Sequence, residues 1–147
     1  MPWWKQTLVA TDPALGRREF DPARDLATTV RKVGVQVPAD VTTALLTTVP
    51  AVFRTGVNDA LLAALALAVI RWRADRSGVL LRLEGHGRET ELVPGADLSR
   101  TVGWFTAIYP ARLELGDVDL DDVAAVVQTV KEQLLAIPRK GIGYGLL

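Results

Sequence analysis

The sequence contains no cysteine and only one histidine. Without cysteine there is no disulfide framework, no thiolate nucleophile and no thiolate-based metal site. A single histidine is poor material for a zinc centre, so no metal is expected. Charge of one sign is lacking too: Lys plus Arg and Asp plus Glu each number 17, giving a formal net charge of zero. No basic surplus exists to draw in nucleic acid, and no charge block marks an interaction tail. The longest apolar run, Ala60 to Ile70, is too short to span a bilayer, so no membrane partner is expected. The opening MPWWKQTLVATD lacks the charged and apolar regions of a secretion signal, which makes the cytoplasm the expected compartment. What is present is globular: 147 residues, 49% apolar and 23% charged, enough for one ordinary domain with a core. Neither an internal repeat nor a domain boundary interrupts residues 1–147.

Patterning divides the chain into a few elements. Pro2 to Val9 suits a short helix anchored by Trp3 and Trp4, and residues 11–25, with two Asp-Pro pairs, read as a loop. Thr28 to Val37 alternates around Val30, Val33, Val35 and Val37 and is the first strand candidate. Pro38 and Asp40 suit a helix start, with Leu45, Leu46 and Val49 on its apolar side and Pro50 as its breaker. Asn58 can cap the next helix, with Asp59 in its first turn. That helix is apolar all round from Ala60 to Ile70, which predicts burial by neighbours on several sides. Gly78 leads into a strand over Val79–Arg88, a polar loop contains Pro94 and Gly95, and Ile108 to Leu115 forms a second strand with Pro110 at a bulge or edge. Asp119, Asp121 and Asp122 open a last helix whose Val123, Val126, Val127, Val130 and Leu134 share one face. Pro138 stops it, ahead of a loop built on Gly141, Gly143 and Gly145.

The chemistry concentrates between Leu83 and Phe105, in LEGHGRETELVPGADLSRTVGWF. If the strand runs to Arg88, period-two alternation puts Glu84, His86 and Arg88 on one face and Gly85 and Gly87 on the other. Such a row is either a paired structural network or the wall of an active site. A Glu84–Arg88 or Glu84–Arg100 ion pair would serve the first purpose. A Glu84 whose pKa burial raises toward working pH, to about 6–7, would serve the second as a proton-transfer group. Arg88 and Arg100 suit carboxylate partners, with Asp97 and Glu89 at hand. Trp104 and Phe105 either line a passage or fill the core. Ser99 shows no sign of activation as a nucleophile, having neither an elbow pattern nor a nearby histidine. The Gly141–Gly145 run is not a dinucleotide loop, because that needs a strand before and a helix after.

EGHGRE at 84–89 and DLSRTVGWFTAIYP at 97–110, with NDALLAALALA at 58–68 and IPRKGIGYGLL at 137–147, resemble epimerization domains of nonribosomal peptide synthetases. These are relatives of the condensation domains. The resemblance implies an α/β chain, a partial chloramphenicol-acetyltransferase-like (condensation-domain) fold with a mixed sheet flanked by helices. It also implies an inner slice of that domain. The family's His-His-x-x-x-Asp-Gly motif would lie before Met1, and its Asn-Tyr motif after Leu147. The implied activity is inversion, L to D, of the α-carbon of an aminoacyl or peptidyl thioester. The substrate would arrive on the 4'-phosphopantetheine arm of a peptidyl carrier protein, so the cofactor belongs to the partner. Glu84 is the implied catalytic residue, working with the histidine of the upstream motif. His86, Arg88, Arg100, Trp104 and Tyr144 are the implied supporting or channel-lining residues. The remaining portion of the same domain is the other implied partner. Two alternatives stand beside this reading: a condensation domain forming peptide bonds, or a noncatalytic remnant that docks a carrier protein.

Overall fold

The computed structural model describes residues 2–10, 12–16, 18–74, 78–92, 95 and 97–146. Five α-helices and two strands succeed one another: α1 (Pro2–Val9), α2 (Ala39–Leu46), α3 (Thr48–Phe53), α4 (Val57–Arg73), β1 (Val79–Gly85), β2 (Ala107–Leu113) and α5 (Val123–Leu135). Short 3-10 turns stand at Ala27–Thr29, Thr90–Leu92, Pro138–Gly141 and Tyr144–Leu146. The architecture is α/β, as expected. Among the described residues the sheet is a two-stranded antiparallel ladder, running from Val79 opposite Leu113 to Gly85 opposite Ala107, in place of the mixed sheet.

The core forms where α4 meets α5. Small residues Ala63 and Ala66 on α4 let the helix approach Val126, Val127 and Val130 of α5, and Ile70, Val79, Leu113 and Leu115 close the cluster. Fully burying a side chain such as Ile70 or Leu113 is worth about 1.5–3 kcal/mol. A second cluster gathers Trp4, Ala111 and Ile137, with the Tyr144 ring tilted at 55° against Trp4, 5.0 Å between ring centroids. Helix α1 is held to β2 by Arg112, which donates from Nε to the Thr7 carbonyl at 3.0 Å and from Nη2 to Ala10. These are carbonyls at the helix end that lack partners within the helix. Beyond Leu113 the ladder is extended by a side chain: the Gln133 carboxamide pairs with both the N–H and the C=O of Glu114, at 2.9 and 2.7 Å.

Several expectations meet a different outcome. Thr28 to Val37 is not a strand. A 3-10 turn takes Ala27–Thr29, and Val33 and Val35 lie 91% and 86% exposed, because no described strand offers them a partner. Pro50 does not break a helix; it sits in the first turn of α3, where its missing N–H costs nothing, and the break comes at Thr47. Gly56, not Asn58, caps α4. Asp59 reaches back to accept from the Gly56 N–H at 2.9 Å and the Thr55 hydroxyl at 2.6 Å. Helix α4 is covered on one side only, since Leu61, Leu65 and Trp72 remain exposed. No single helix among the described residues is long and apolar enough to cross a membrane. Thr11 and Arg17 of the expected 11–25 loop, and Pro94, lie outside the described residues. In the described part of that loop Arg18 pairs with Asp25, and the hydrogen bond holds the Asp25 carboxyl down to about 2.

The last helix begins at Val123, so the expected acidic residues precede it and do not occupy its first turn: Asp122 is its N-cap, and the carboxylate accepts from the Ala125 N–H at 3.0 Å. Asp122→Ala is expected to cost about 1 kcal/mol, measured by denaturant unfolding; Asp122→Asn, which keeps the acceptor, should cost much less.

Candidate functional site

Strand β1 ends at Gly85, not Arg88. The backbone turns at Gly87, where φ is 69°, and a Cβ at this position would fall 1.5 Å from the Phe105 carbonyl oxygen. Period-two alternation therefore stops at Glu84, and the expected row of Glu84, His86 and Arg88 is broken up. At Gly85 the packing is looser, and a Cβ would meet Tyr109 at an ordinary 3.7 Å.

Glu84 stands opposite Ile108 at the end of the ladder, exposed. Its carboxylate has no ion-pair or hydrogen-bond partner among the described residues, so neither the Arg88 nor the Arg100 brace is formed. It lines a cleft of about 540 Å³. Leu83, Tyr109 and Ile137 form one apolar wall of this cleft, and Leu61 and Leu62 of α4 form another. Asn58, Asp59, Glu89 and Lys140 supply its other polar groups. Glu84 follows Leu83 in the strand and so borders the cleft at its exposed edge; an unpaired carboxylate is the type of group that can accept a proton from a carbon acid.

The remaining expected residues fall elsewhere. Arg88 has no carboxylate partner among the described residues: its guanidinium donates to the carbonyls of Leu98 at 2.8 Å and Thr101 at 2.9 Å and lies 4.4 Å over the Phe105 ring. It thereby shapes the loop 98–105. Asp97 accepts from the Ser99 N–H at 2.9 Å, and Ser99's hydrogen bonds lower its pKa. Arg100 is exposed and forms no ion pair among the described residues. Trp104 is 91% exposed, so it is neither core nor the wall of an enclosed channel among the described residues. Tyr144 faces a different hollow, with Arg82 and Pro110, and anchors the chain end on Trp4.

His86 is 68% exposed, and its Nδ1 accepts from the Arg88 N–H at 2.9 Å. That bond places the neutral ring's proton on Nε2, which points at Glu89 Oε1 at 3.3 Å. The other oxygen of Glu89 takes the Lys140 ammonium at 2.7 Å. Burial, and then the Glu89 charge, push the Tyr109 phenol above its usual pKa. Glu89, expected beside Arg88 or Arg100, pairs with Lys140 instead, and Lys140 and Tyr109 are cleft residues whose roles the sequence did not disclose. Lys140 was hidden inside a glycine-rich loop, and Tyr109 inside a β-prone run.

The model of the condensation-domain family matches residues 3–147. The chain belongs to the condensation-domain family. Among curated relatives, this condensation-family chain is 43% identical over 145 residues to part of a linear gramicidin synthase from Brevibacillus parabrevis. It is 37% identical over 142 residues to gramicidin S synthase 1 of Brevibacillus brevis. These alignments take in 99% and 97% of the chain but only 2% and 13% of those synthase chains. Among solved structures it is similar to the epimerization domain from the third module of tyrocidine synthetase B. The TM-score is 0.74 at 35% identity, over 99% of this chain and 31% of that one. The fold is thus that of a segment of a condensation-type domain from nonribosomal peptide synthetases, spanning about a third of the solved domain.

Proposed function

We propose that this chain is a segment of an epimerization domain, an isomerase. Its substrate is an L-aminoacyl or peptidyl thioester on the phosphopantetheine arm of a peptidyl carrier protein, in the cytoplasm. The observation that supports this most is Glu84, the first residue of EGHGRE, standing unpaired on the rim of the 540 Å³ cleft. Similarity to a solved epimerization domain across 99% of the chain supports it as well.

In this reading Glu84 works on one face of the α-carbon. The thioester makes the α-hydrogen acidic; a base takes it as a proton, the electron pair delocalises into the thioester carbonyl, and a proton returns to the opposite face. Nothing is oxidised or reduced. The group on the second face comes from outside this chain, in the position the family gives to its His-His-x-x-x-Asp-Gly motif. The supporting residues act at a distance from the reacting carbon. Arg88 fixes the 98–105 loop through two carbonyls, and His86 holds the Glu89 carboxylate.

The matched family model favours a second reading, peptide-bond formation between two carrier-bound substrates. One experiment separates the two. A domain of full length containing this sequence is given an L-aminoacyl carrier, with and without a second loaded carrier, and the products are resolved by chiral chromatography. Epimerization predicts a mixture of D and L without any acceptor, and the 147-residue chain tested alone is expected to leave the substrate L. Peptide bond formed only with the acceptor, and no D product, would establish the condensation reading. Absence of both products would leave a docking role.

A further inference from the structure

Beside the cleft, around its lining residue Lys140, the backbone is strained in a way proton transfer by Glu84 does not explain. Arg139, Lys140 and Gly141 run consecutively with φ of 48°, 51° and 85°. Two of the three carry a Cβ, which the left-handed region disfavours. A run of this kind persists only where its surroundings over-determine it. Two contacts do so. Gly141 lies so close to Tyr109 that a Cβ would sit 1.9 Å from ring carbon Cδ1. And Lys140 Nζ donates to Glu89 Oε2 at 2.7 Å, while Glu89 Oε1 faces His86 Nε2 at 3.3 Å.

The Glu89 side chain is only 12% exposed while that of Lys140 is 60% exposed, so this charge-assisted bond is shielded from solvent on the carboxylate side alone. It also joins two segments 51 residues apart in the chain: the turn after β1, which follows Glu84 directly, and the turn after α5. Glu84, Glu89, Tyr109 and Lys140 all line the one cleft.

We propose that Glu89 is a positioning residue whose carboxylate, shared by Lys140 and His86, ties the end of β1 to the strained 138–141 turn. The tie sets the distance between Glu84 and the Tyr109–Lys140 wall, and so the seat of the substrate α-carbon. The inference rests on reading the cleft as the proton-transfer site.

Glu89→Gln, Lys140→Met and the reciprocal pair Glu89→Lys with Lys140→Glu are compared in a domain of full length containing this chain. Arg18→Gln, which breaks a remote ion pair, serves as control. The amides of Lys140 and Ile142, hydrogen-bonded within the turn to Ile137 and Arg139, report the tie by hydrogen exchange whatever the domain catalyses. Each single substitution is expected to speed exchange of these two amides by about tenfold while the rest of the domain keeps its protection. It also lowers kcat for inversion by about tenfold with little change in KM, and the reciprocal pair recovers both. Unchanged exchange at Lys140 and Ile142 overturns the proposal. So does a uniform loss of protection, faster local exchange with unchanged kcat, or failure of the reciprocal pair to recover either quantity. A wild-type domain that inverts nothing removes the epimerization reading, while the exchange data still decide whether the tie exists.

Discussion

Glu84→Gln, in a domain of full length, is expected to slow inversion of carrier-bound substrate by about 10²–10⁴-fold, the usual contribution of a positioned acid or base. Stability should hardly change. The carboxylate is exposed and has no partner among the described residues, and substitutions at such positions fall within about ±0.5 kcal/mol. Gln keeps the shape and the hydrogen-bonding capacity but cannot carry the proton. The two halves of this result matter together. Had Glu84 braced an arginine, the same substitution would lower the melting temperature and spare the rate. Glu89→Gln makes the informative contrast: by loosening the Lys140 tie it should cost less than Glu84→Gln and act through local exchange in the 138–141 turn.

Gly87→Ala is expected to be the most destabilising single substitution in the motif. The new Cβ meets the Phe105 carbonyl oxygen at 1.5 Å, a backbone atom two residues before β2 and not the far end of a flexible side chain. Left-handed backbone at φ 69° adds a further cost of about 1–3 kcal/mol for a residue with a Cβ. The total exceeds about 3 kcal/mol, read as a lowered denaturant midpoint at unchanged slope. Gly85→Ala, whose Cβ would find Tyr109 at 3.7 Å, should be tolerated. Equal effects at the two glycines would refute the turn geometry that separates Glu84 from His86.

The pattern of the sequence disclosed the elements whose determinants are local. The Val126, Val127 and Val130 face of α5 and the two strand segments at 79–85 and 107–113 follow from periodicity; their antiparallel pairing and the Asp122 cap do not. Where the determinants lie far apart in the chain, it did not. Alternating valines at 30–37 look like a strand, but a strand needs a neighbour to take its hydrogen bonds, and none of the described residues supplies it. Periodicity carries the strand three residues past its end at Gly85, because alternation of Glu84, His86 and Arg88 looks the same whether or not Gly87 turns. Only the close approach of Phe105 decides that. The site was legible to the same extent. Glu84 emerged from the motif, whereas its neighbours in the cleft, Tyr109, Glu89 and Lys140, are brought together by β2 and by the turn after α5. Charge alone points Arg88 to a carboxylate. Two backbone carbonyls and an aromatic ring satisfy it instead.

The most direct measurement is deuterium entry at the α-carbon. A domain of full length containing this chain is incubated in deuterated water with an L-aminoacyl carrier and no acceptor, and the released amino acid is weighed by mass spectrometry. The wild type should gain a single deuterium at the α-carbon as D product appears, and Glu84→Gln should gain it about 10²–10⁴-fold more slowly. No deuterium with the wild type, or entry at an unchanged rate in Glu84→Gln, would contradict the assignment of Glu84 as the proton-transfer residue.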